Sequence, residues 1–445
     1  MSGPAFRKLS ITPDLLSIHE RAADDWPFLL GSEAGAPGLA RWSILLRHDG
    51  ETLTCPHEQG KAAAFLDQLR ALTAASRSPV HGGAQTLPFY SGWFLYLAYE
   101  LAGQIEPSLE LPAAEDLLPV AYAARCPAAL LYDHLLEETW LVAESDAWLE
   151  RVHKELDQQF QKSAPDLSLP SLDVQSDDPK RFLEGVERIK QWIVDGDVFQ
   201  VNLSRGWTAQ SEVGLDPVTV YRALASANPA PFAGLAKLPG GTIVSSSPER
   251  LVEVRNGMAQ TRPIAGTRPR GANLNEDHDL SAELLANPKE RAEHIMLIDL
   301  ERNDLGRVCV SGSVEVNELM AIESYTHVHH IVSNVRGRVS SDRDAIDVIA
   351  AVFPGGTITG CPKVRCMEII AELEQVGRSF YTGSMGYLGD DGSMDLNILI
   401  RSMLVTDHLV SFRTGAGIVA DSKSAAELAE TQAKARGLLR ALAAE

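Results

Sequence analysis

Long apolar runs are missing. No stretch of ~18 apolar residues occurs in the 445-residue chain, which argues against a membrane-spanning helix. The N-terminal segment MSGPAFRKLSITPDLLS holds no apolar stretch of signal-peptide length, so the expectation is a soluble, cytoplasmic protein. Cysteine is scarce: five residues are scattered at Cys55, Cys126, Cys309, Cys361 and Cys366. The odd number and the lack of a CxxC pair leave no signature of zinc or of a redox motif, and reduced thiols in a cytoplasmic enzyme are the simplest reading. Basic residues are in the minority, with a formal net charge of -20. No basic stripe offsets that charge locally, so nucleic acid is excluded as a partner. Repeats with a period of roughly 20 to 50 residues are also absent, which excludes a solenoid.

What is present is enough chain for one large domain or for two to three ordinary ones. A polar, Pro-containing stretch over residues 161–179 (QKSAPDLSLPSLDVQSDDP) divides the chain. It suggests an N-terminal part (1–165), a linker (166–179) and a catalytic region (180–445), interleaved as one globular unit. Residues 89–102, FYSGWFLYLAYELA, read as buried core. Asp178 offers an N-cap, Phe182, Val186, Ile189 and Ile193 recur at helical spacing, and Gly196 ends the pattern, which predicts a helix. Phe199, Val201 and Leu203 then alternate with Gln200, Asn202 and Ser204, so one face of a strand is core and the other is free to line a site. Further strands are expected over 242–246, 251–254, 258–264, 328–335, 384–388, 396–405 and 409–414. Strands and helices do not alternate regularly, which favours antiparallel sheets with helices packed outside them, an α+β class.

Two predicted helices each carry a pair of carboxylates one turn apart. Pro288 sits near a helix start in NPKERAEHIMLIDLERNDLG, where Glu290 and Glu293 share a face. In SAAELAETQAKARGLLRAL, Glu427, Glu430 and Lys434 form a second stripe. Brought together, the two pairs would repel unless a cation lay between them, a role that suits Mg2+; taken alone, each stripe reads equally as a solvated helix face. In FPGGTITGCPKVRCMEIIAELE, Gly355, Gly356 and Gly360 make a turn and Pro362 fits the first helical position. The exposed N–H groups there favour an anion, yet this is no P-loop, because Cys361 and Pro362 separate Gly360 from Lys363. PIAGTRPRG and TGAGIVADS place small residues at strand ends, as a close ligand or a tight turn would require. In THVHHIVS, His327 and His329 share one strand face and His330 the other; a hydrogen-bonded core histidine is the default reading of His330, and a polar catalytic role is favoured over metal ligation.

Together GDVFQVNLSR, SSSPERL, PIAGTRPRG, KERAEHIMLIDLERNDLGRV, THVHHIVS, FPGGTITGCPKVRCMEI, YTGSMGYLG, NILIRS and TGAGIVADSKSAAELAETQAKA resemble the chorismate-utilising enzymes, in order, from about Asp178 onward. SIHERAADDWPFLLGS and residues 89–102 extend the resemblance toward the N-terminus. The resemblance implies one large α+β fold, with packed antiparallel sheets at its centre and helices outside, acting on chorismate with Mg2+. It places the ion on Glu293 and Glu430, with Glu290 and Glu427 beside them, where it would hold the ring carboxylate helped by Gly266, Thr267 and Lys434. Tyr381, Arg401 and the backbone near Gly417 would clamp the enolpyruvyl carboxylate, a task suited to a bidentate guanidinium. Glu249 would protonate the departing 4-hydroxyl, which requires a raised pKa. His330 and Thr357 would border the ring.

Gln200 stands where the family's isochorismate and salicylate branch has a lysine that activates water. A glutamine cannot act as that base, so the resemblance implies ammonia as nucleophile. The chain has no GxCxG-type glutaminase nucleophile, and a separate glutamine amidotransferase subunit is implied. QVNL, VHHIVS, GGTITG and the short length resemble the aminodeoxychorismate-forming branch, on the route to p-aminobenzoate and folate. Ala265 instead resembles the anthranilate-forming branch, since a lysine that adds covalently to the ring is common there in the former. Leu29, Leu30, Gly31 and Ser32 lack the glutamate of an LLES-like tryptophan site, so weak or absent tryptophan inhibition is expected.

Overall fold

The structure is a computed structural model that describes residues 3–32, 34, 40–57, 64–76, 87–159, 169–271, 273–324 and 328–443. His327 and residues 161–168 of the polar stretch lie outside the described residues. Beyond them, Asp173–Ser176 is not linker but a strand, paired antiparallel with Gln200–Gln210.

Two large antiparallel sheets form the centre of an α+β fold. The first runs from the edge strand Ala5–Lys8 through Glu138–Ala143, Ala128–Asp133, Trp42–Arg47, Phe28–Gly31, Phe232–Leu238, Gly241–Ser247, Ser402–Val405, Leu409–Ile418 and Gln200–Gln210 to Gly360–Cys361. The second runs Ile264–Pro269, Val328–Arg338, Met258–Thr261, Arg250–Arg255, Met394–Asn397, Ser384–Gly389, Gly92–Leu97, Ala121–Cys126 and Thr52–Cys55. Strands from before and after the polar stretch lie side by side in both: Phe28–Gly31 pairs with Phe232–Leu238, and Gly92–Leu97 with Ser384–Gly389.

Aromatic and aliphatic residues at alternate positions make the facing surfaces of both sheets apolar, and burying them against each other is the main driving force for the layers. The Phe28 and Phe94 rings, one from each sheet, stack with centroids 3.9 Å apart. Helices cover the outer faces. Pro288–Gly306 and Ala345–Val352 pack on the second sheet, while Pro217–Ala227 and Ser424–Ala441 pack on the first. The helix expected after Asp178 spans Pro179–Asp195: the Asp178 side chain accepts from Lys180 N, and Gly196 closes it at φ 85°.

Four expectations need correction. The strand expected over 258–264 is two strands, broken at Arg262 and Pro263 because Pro lacks an N–H for the ladder. The run 396–405 is also two strands, and its halves belong to different sheets. The crossover between them ends at Arg401, whose φ of 52° lies in the left-handed region, a conformation that costs of order 1–3 kcal/mol for such a residue and clusters at functional sites. Phe199 lies just outside its strand and is 67% exposed, while Val201 and Leu203 are buried as expected. Pro362 precedes the helix Lys363–Glu374 as its N-cap residue and does not open its first turn.

The strand Gln200–Gln210 is tied to this helix by a buried charge network. Glu374 pairs with Arg378 at 2.6 Å, with both side chains almost fully buried, and with Arg413 at 3.2 Å. Its Oε1 also accepts from Ser204 N and Oγ at 2.9 and 2.8 Å. Burial would raise the Glu374 pKa, but Arg378 and Arg413 outweigh it and hold the carboxyl below its ordinary value. Glu374→Ala strands the Arg378 charge in the interior, and an equilibrium denaturation series is expected to register a loss of about 3–5 kcal/mol.

Candidate active site

The site grows from two paired strands. Leu409–Ile418 lies antiparallel to Gln200–Gln210, with Gly417 opposite Asn202 and Gly415 opposite Ser204. The two glycines leave bare backbone where other side chains settle. A Cβ on Gly417 would stand 2.3 Å from Gln200 Nε2, and one on Gly415 would stand 2.6 Å from Asn202 Oδ1 and 2.8 Å from the Tyr381 hydroxyl. Gln200 Oε1 and Asn202 Oδ1 are buried without a hydrogen-bond partner among the described residues. Such orphaned acceptors are rare in a native interior and call for a donor. Asn202 was not singled out from sequence beyond its place on the polar strand face.

Lys434, on the helix Ser424–Ala441, donates to Gly415 O at 2.9 Å and pairs with Glu430 at 2.7 Å. The Arg401 guanidinium makes no hydrogen bond or ion pair with any described residue; burial lowers its pKa, and Tyr381 and Glu430 are the groups that act back on it. Tyr381 is itself buried, which pushes its phenol up to about 12 and keeps it a neutral donor. An unpaired, enclosed guanidinium beside a neutral hydroxyl can receive a carboxylate.

On the second sheet, a bulge between Ala265 and Thr267 puts Gly266 at φ 69°. There a Cβ would meet Glu290 Oε2 at 2.8 Å. His330 Nδ1 lies 3.0 Å from Thr267 Oγ1 and 3.3 Å from Gly266 O. Burial pulls the His330 pKa down to about 4, with Arg401 and Lys434 adding to the effect, so the imidazole is neutral. Its neighbour His329 is engaged elsewhere, with Asp277 at 2.9 Å and Ser324 at 2.8 Å. Glu249 is 6% exposed and accepts from Thr357 Oγ1 at 2.8 Å. Burial drives its pKa up to about 7, against the opposing pull of Thr357 and Lys434. Lys434 thus acts on both Glu249 and His330, and the residues from both sheets surround one locus.

One carboxylate from each stripe borders this locus. Glu290 reaches Gly266 and pairs with Arg268 at 3.3 Å, while Glu430 is held by Lys434. Glu427 is 9% exposed and Glu293 half-buried. Among the described residues, no group of three or more His, Cys, Asp or Glu is arranged to hold a metal ion. The donor set still fits Mg2+, which needs only one or two protein carboxylates and takes its other oxygens from water and an anionic ligand; the Arg268 and Lys434 contacts would have to loosen. Two cavities lie away from these residues. One of about 790 Å3 is lined by Arg205, Trp207 and Arg413. Another of about 730 Å3 is lined by Phe199, Ile295, Asp304 and Lys363. The reacting groups, not cavity size, mark the site.

A family model described as chorismate binding enzyme matches residues 37–440. The chain belongs to that family. It is a chorismate-utilising enzyme. It is 44% identical over 412 residues to a Synechocystis protein named anthranilate synthase component I-like protein, covering 91% of this chain and 84% of the relative. It is 43% identical to aminodeoxychorismate synthase component 1 of Bacillus subtilis, covering 80% of this chain and 77% of that one. Further relatives, 35–40% identical, carry the name anthranilate synthase component 1. The crystal structure of anthranilate synthase component I from Streptococcus pneumoniae superposes with a TM-score of 0.80 at 32% identity, over 91% of this chain and 92% of that one.

Because the Gln200 amide lies on the bare backbone of Gly417, Gly417→Ala displaces a flexible side-chain end and spares the core. The variant is expected to keep its melting temperature while chorismate binding, measured by calorimetry, weakens by about tenfold or more, ~1.4 kcal/mol.

Proposed function

We propose that this enzyme aminates chorismate with ammonia to give 4-amino-4-deoxychorismate, on the route to p-aminobenzoate and folate. The observation that carries the proposal is Gln200: an uncharged amide with an orphaned oxygen occupies the floor of the site, where water addition would need a base.

Arg401 and the Tyr381 hydroxyl bind the enolpyruvyl carboxylate, and Thr267, Gly266 and Lys434 orient the ring. Glu249, whose carboxyl burial keeps in part protonated near neutral pH, gives its proton to the 4-hydroxyl, which leaves as water. A carbon–nitrogen bond forms to ammonia, whose surplus proton returns to the Glu249 carboxylate. Neutral His330 borders the ring without adding charge, and Thr357 keeps the Glu249 carboxyl aimed. Glu293 and Glu430, with Glu290 and Glu427 beside them, would hold Mg2+, whose charge offsets the ring carboxylate when bound. Ammonia would come from a separate glutamine amidotransferase subunit.

Ala265 favours a second reading, anthranilate formation, because it removes the lysine route common in aminodeoxychorismate synthases. The products separate the two. With chorismate, Mg2+ and an ammonium salt, the expected result is p-aminobenzoate only after a lyase is added; fluorescent anthranilate appearing directly would establish the second reading instead. In either case the rate should fall as pH rises through about 7, where Glu249 loses the proton it must donate, and Glu249→Gln should abolish turnover. The metal assignment is checked apart from turnover: calorimetric Mg2+ binding in the presence of chorismate should weaken by at least about tenfold in both Glu293→Gln and Glu430→Gln. Unchanged Mg2+ affinity in both variants would remove these carboxylates from the metal site.

A further inference from the structure

Asn202 lines the site, and the reaction scheme gives it no task. It is 8% exposed, and its Oδ1 is buried without a hydrogen-bond partner among the described residues. The bonds that Asn202 does make belong to its backbone, whose N–H donates to Thr359 O at 2.9 Å and whose carbonyl accepts from Arg378 Nη2 at 2.8 Å. The main chain is therefore fixed on its outer side, while the carboxamide on the site face is left unbonded. An enclosed amide without partners is costly to keep, and in a native site it calls for a ligand that completes it.

The position of the amide names its neighbour. Gly415 lies diagonally across the ladder, and a Cβ there would stand 2.6 Å from Asn202 Oδ1 and 2.8 Å from the Tyr381 hydroxyl. Amide and phenol thus converge from two elements on one point, close enough for a single ligand group to reach both at hydrogen-bonding distance. Arg378 sets the two together. The guanidinium that bonds the Asn202 carbonyl also lies 5.6 Å from the centroid of the Tyr381 ring, and the Arg378 carbonyl accepts from Tyr381 N at 3.0 Å. Glu374 in turn holds Arg378 at 2.6 Å, so the pair is oriented before any ligand arrives.

We infer that Asn202 is a substrate-binding residue: its amide grips the enolpyruvyl group, donating through Nδ2 to the carboxylate that Tyr381 and Arg401 receive. This rests on the reading of Tyr381 and Arg401 as the clamp on that carboxylate. A carboxylate offers about four acceptor sites on its two oxygens, more than a guanidinium edge and one phenol fill, and a third donor converging on the Tyr381 hydroxyl takes one of those left over. Which end of a carboxamide faces a given point is decided by its partners, because a half-turn about Cβ–Cγ exchanges the two ends with little change of shape. An amide oxygen pressed against an anionic oxygen would repel it, so the N–H end is the one that meets the ligand. The contact brings neither charge nor a titrating proton into the site.

Asn202→Leu keeps the size of the side chain but neither donates nor accepts. Calorimetric binding to the full chain with Mg2+ present is compared for two ligands: chorismate, and the trans-3,4-diol of the same cyclohexadiene carboxylate, which carries a hydroxyl in place of the enolpyruvyl ether. The variant should bind the diol as the parent does and lose about tenfold or more for chorismate. Asn202→Asp, which keeps the shape and sets a negative charge beside the carboxylate, should lose more than Asn202→Leu. Should the leucine lower the melting temperature, Asn202→Ala serves the same comparison. Equal losses for both ligands, an unchanged chorismate affinity in these variants, or a parent chain that binds chorismate no tighter than the diol would overturn the inference. Where the diol binds too weakly to compare, a chorismate complex of the parent chain decides, and an Asn202 amide out of hydrogen-bonding reach of the enolpyruvyl carboxylate overturns it. None of these measurements needs turnover, so a chain that forms anthranilate would refute the product proposed above and leave this inference standing.

Discussion

The site depends on two stretches of strand backbone that carry no side chain. Gly415 and Gly417 let the amides of Gln200 and Asn202 and the hydroxyl of Tyr381 occupy space that a β-carbon would fill. The Gly415 carbonyl, left open on the same strand, anchors Lys434. Lys434 in turn holds Glu430 and bears on Glu249 and His330. A change at this glycine pair would therefore reach Glu249, the proposed acid, and the candidate metal ligands without touching either.

Charge is distributed against the overall acidity of the chain. A net charge of -20 would repel a substrate bearing carboxylates, but the locus gathers an Arg401 with no ion pair among the described residues, a Lys434 held by Glu430 and the Gly415 carbonyl, a neutral imidazole and a carboxyl whose pKa burial raises. In a low-dielectric pocket such preoriented groups interact with a substrate more strongly than they would in water. The buried Glu374–Arg378–Arg413 network keeps the supporting strand and helix in place, so the polar groups above it need little reorganisation.

Much of this was legible in the sequence where a local rule governs. Asp178 and Gly196 announced a helix through cap chemistry, and the i, i+3 carboxylates revealed their shared faces because helical periodicity alone decides that. Alternation separated His330, which reaches the site, from His329, which does not. The break at 262–263 carries its signal in Pro263, which has no N–H for a ladder, whereas the break at 398–401 was hidden because Ile398, Leu399 and Ile400 keep the run apolar and only tertiary pairing assigns the halves to different sheets. The left-handed Arg401 could not be read, since no residue-type signal marks a non-glycine held there by its surroundings. Asn202 was passed over because an amide on a half-polar strand is commonplace until its partner strand proves to be glycine.

The central claim is that substrate binds between the two sheets with its reacting hydroxyl on Glu249. The most direct measurement is a crystal structure of the Glu249→Gln variant soaked with chorismate and Mg2+. The account predicts the enolpyruvyl carboxylate on Arg401 and Tyr381, and the 4-hydroxyl within hydrogen-bonding distance of residue 249. Chorismate bound in either of the outlying cavities, or lying at this locus with its carboxylates turned away from Arg401, would contradict it.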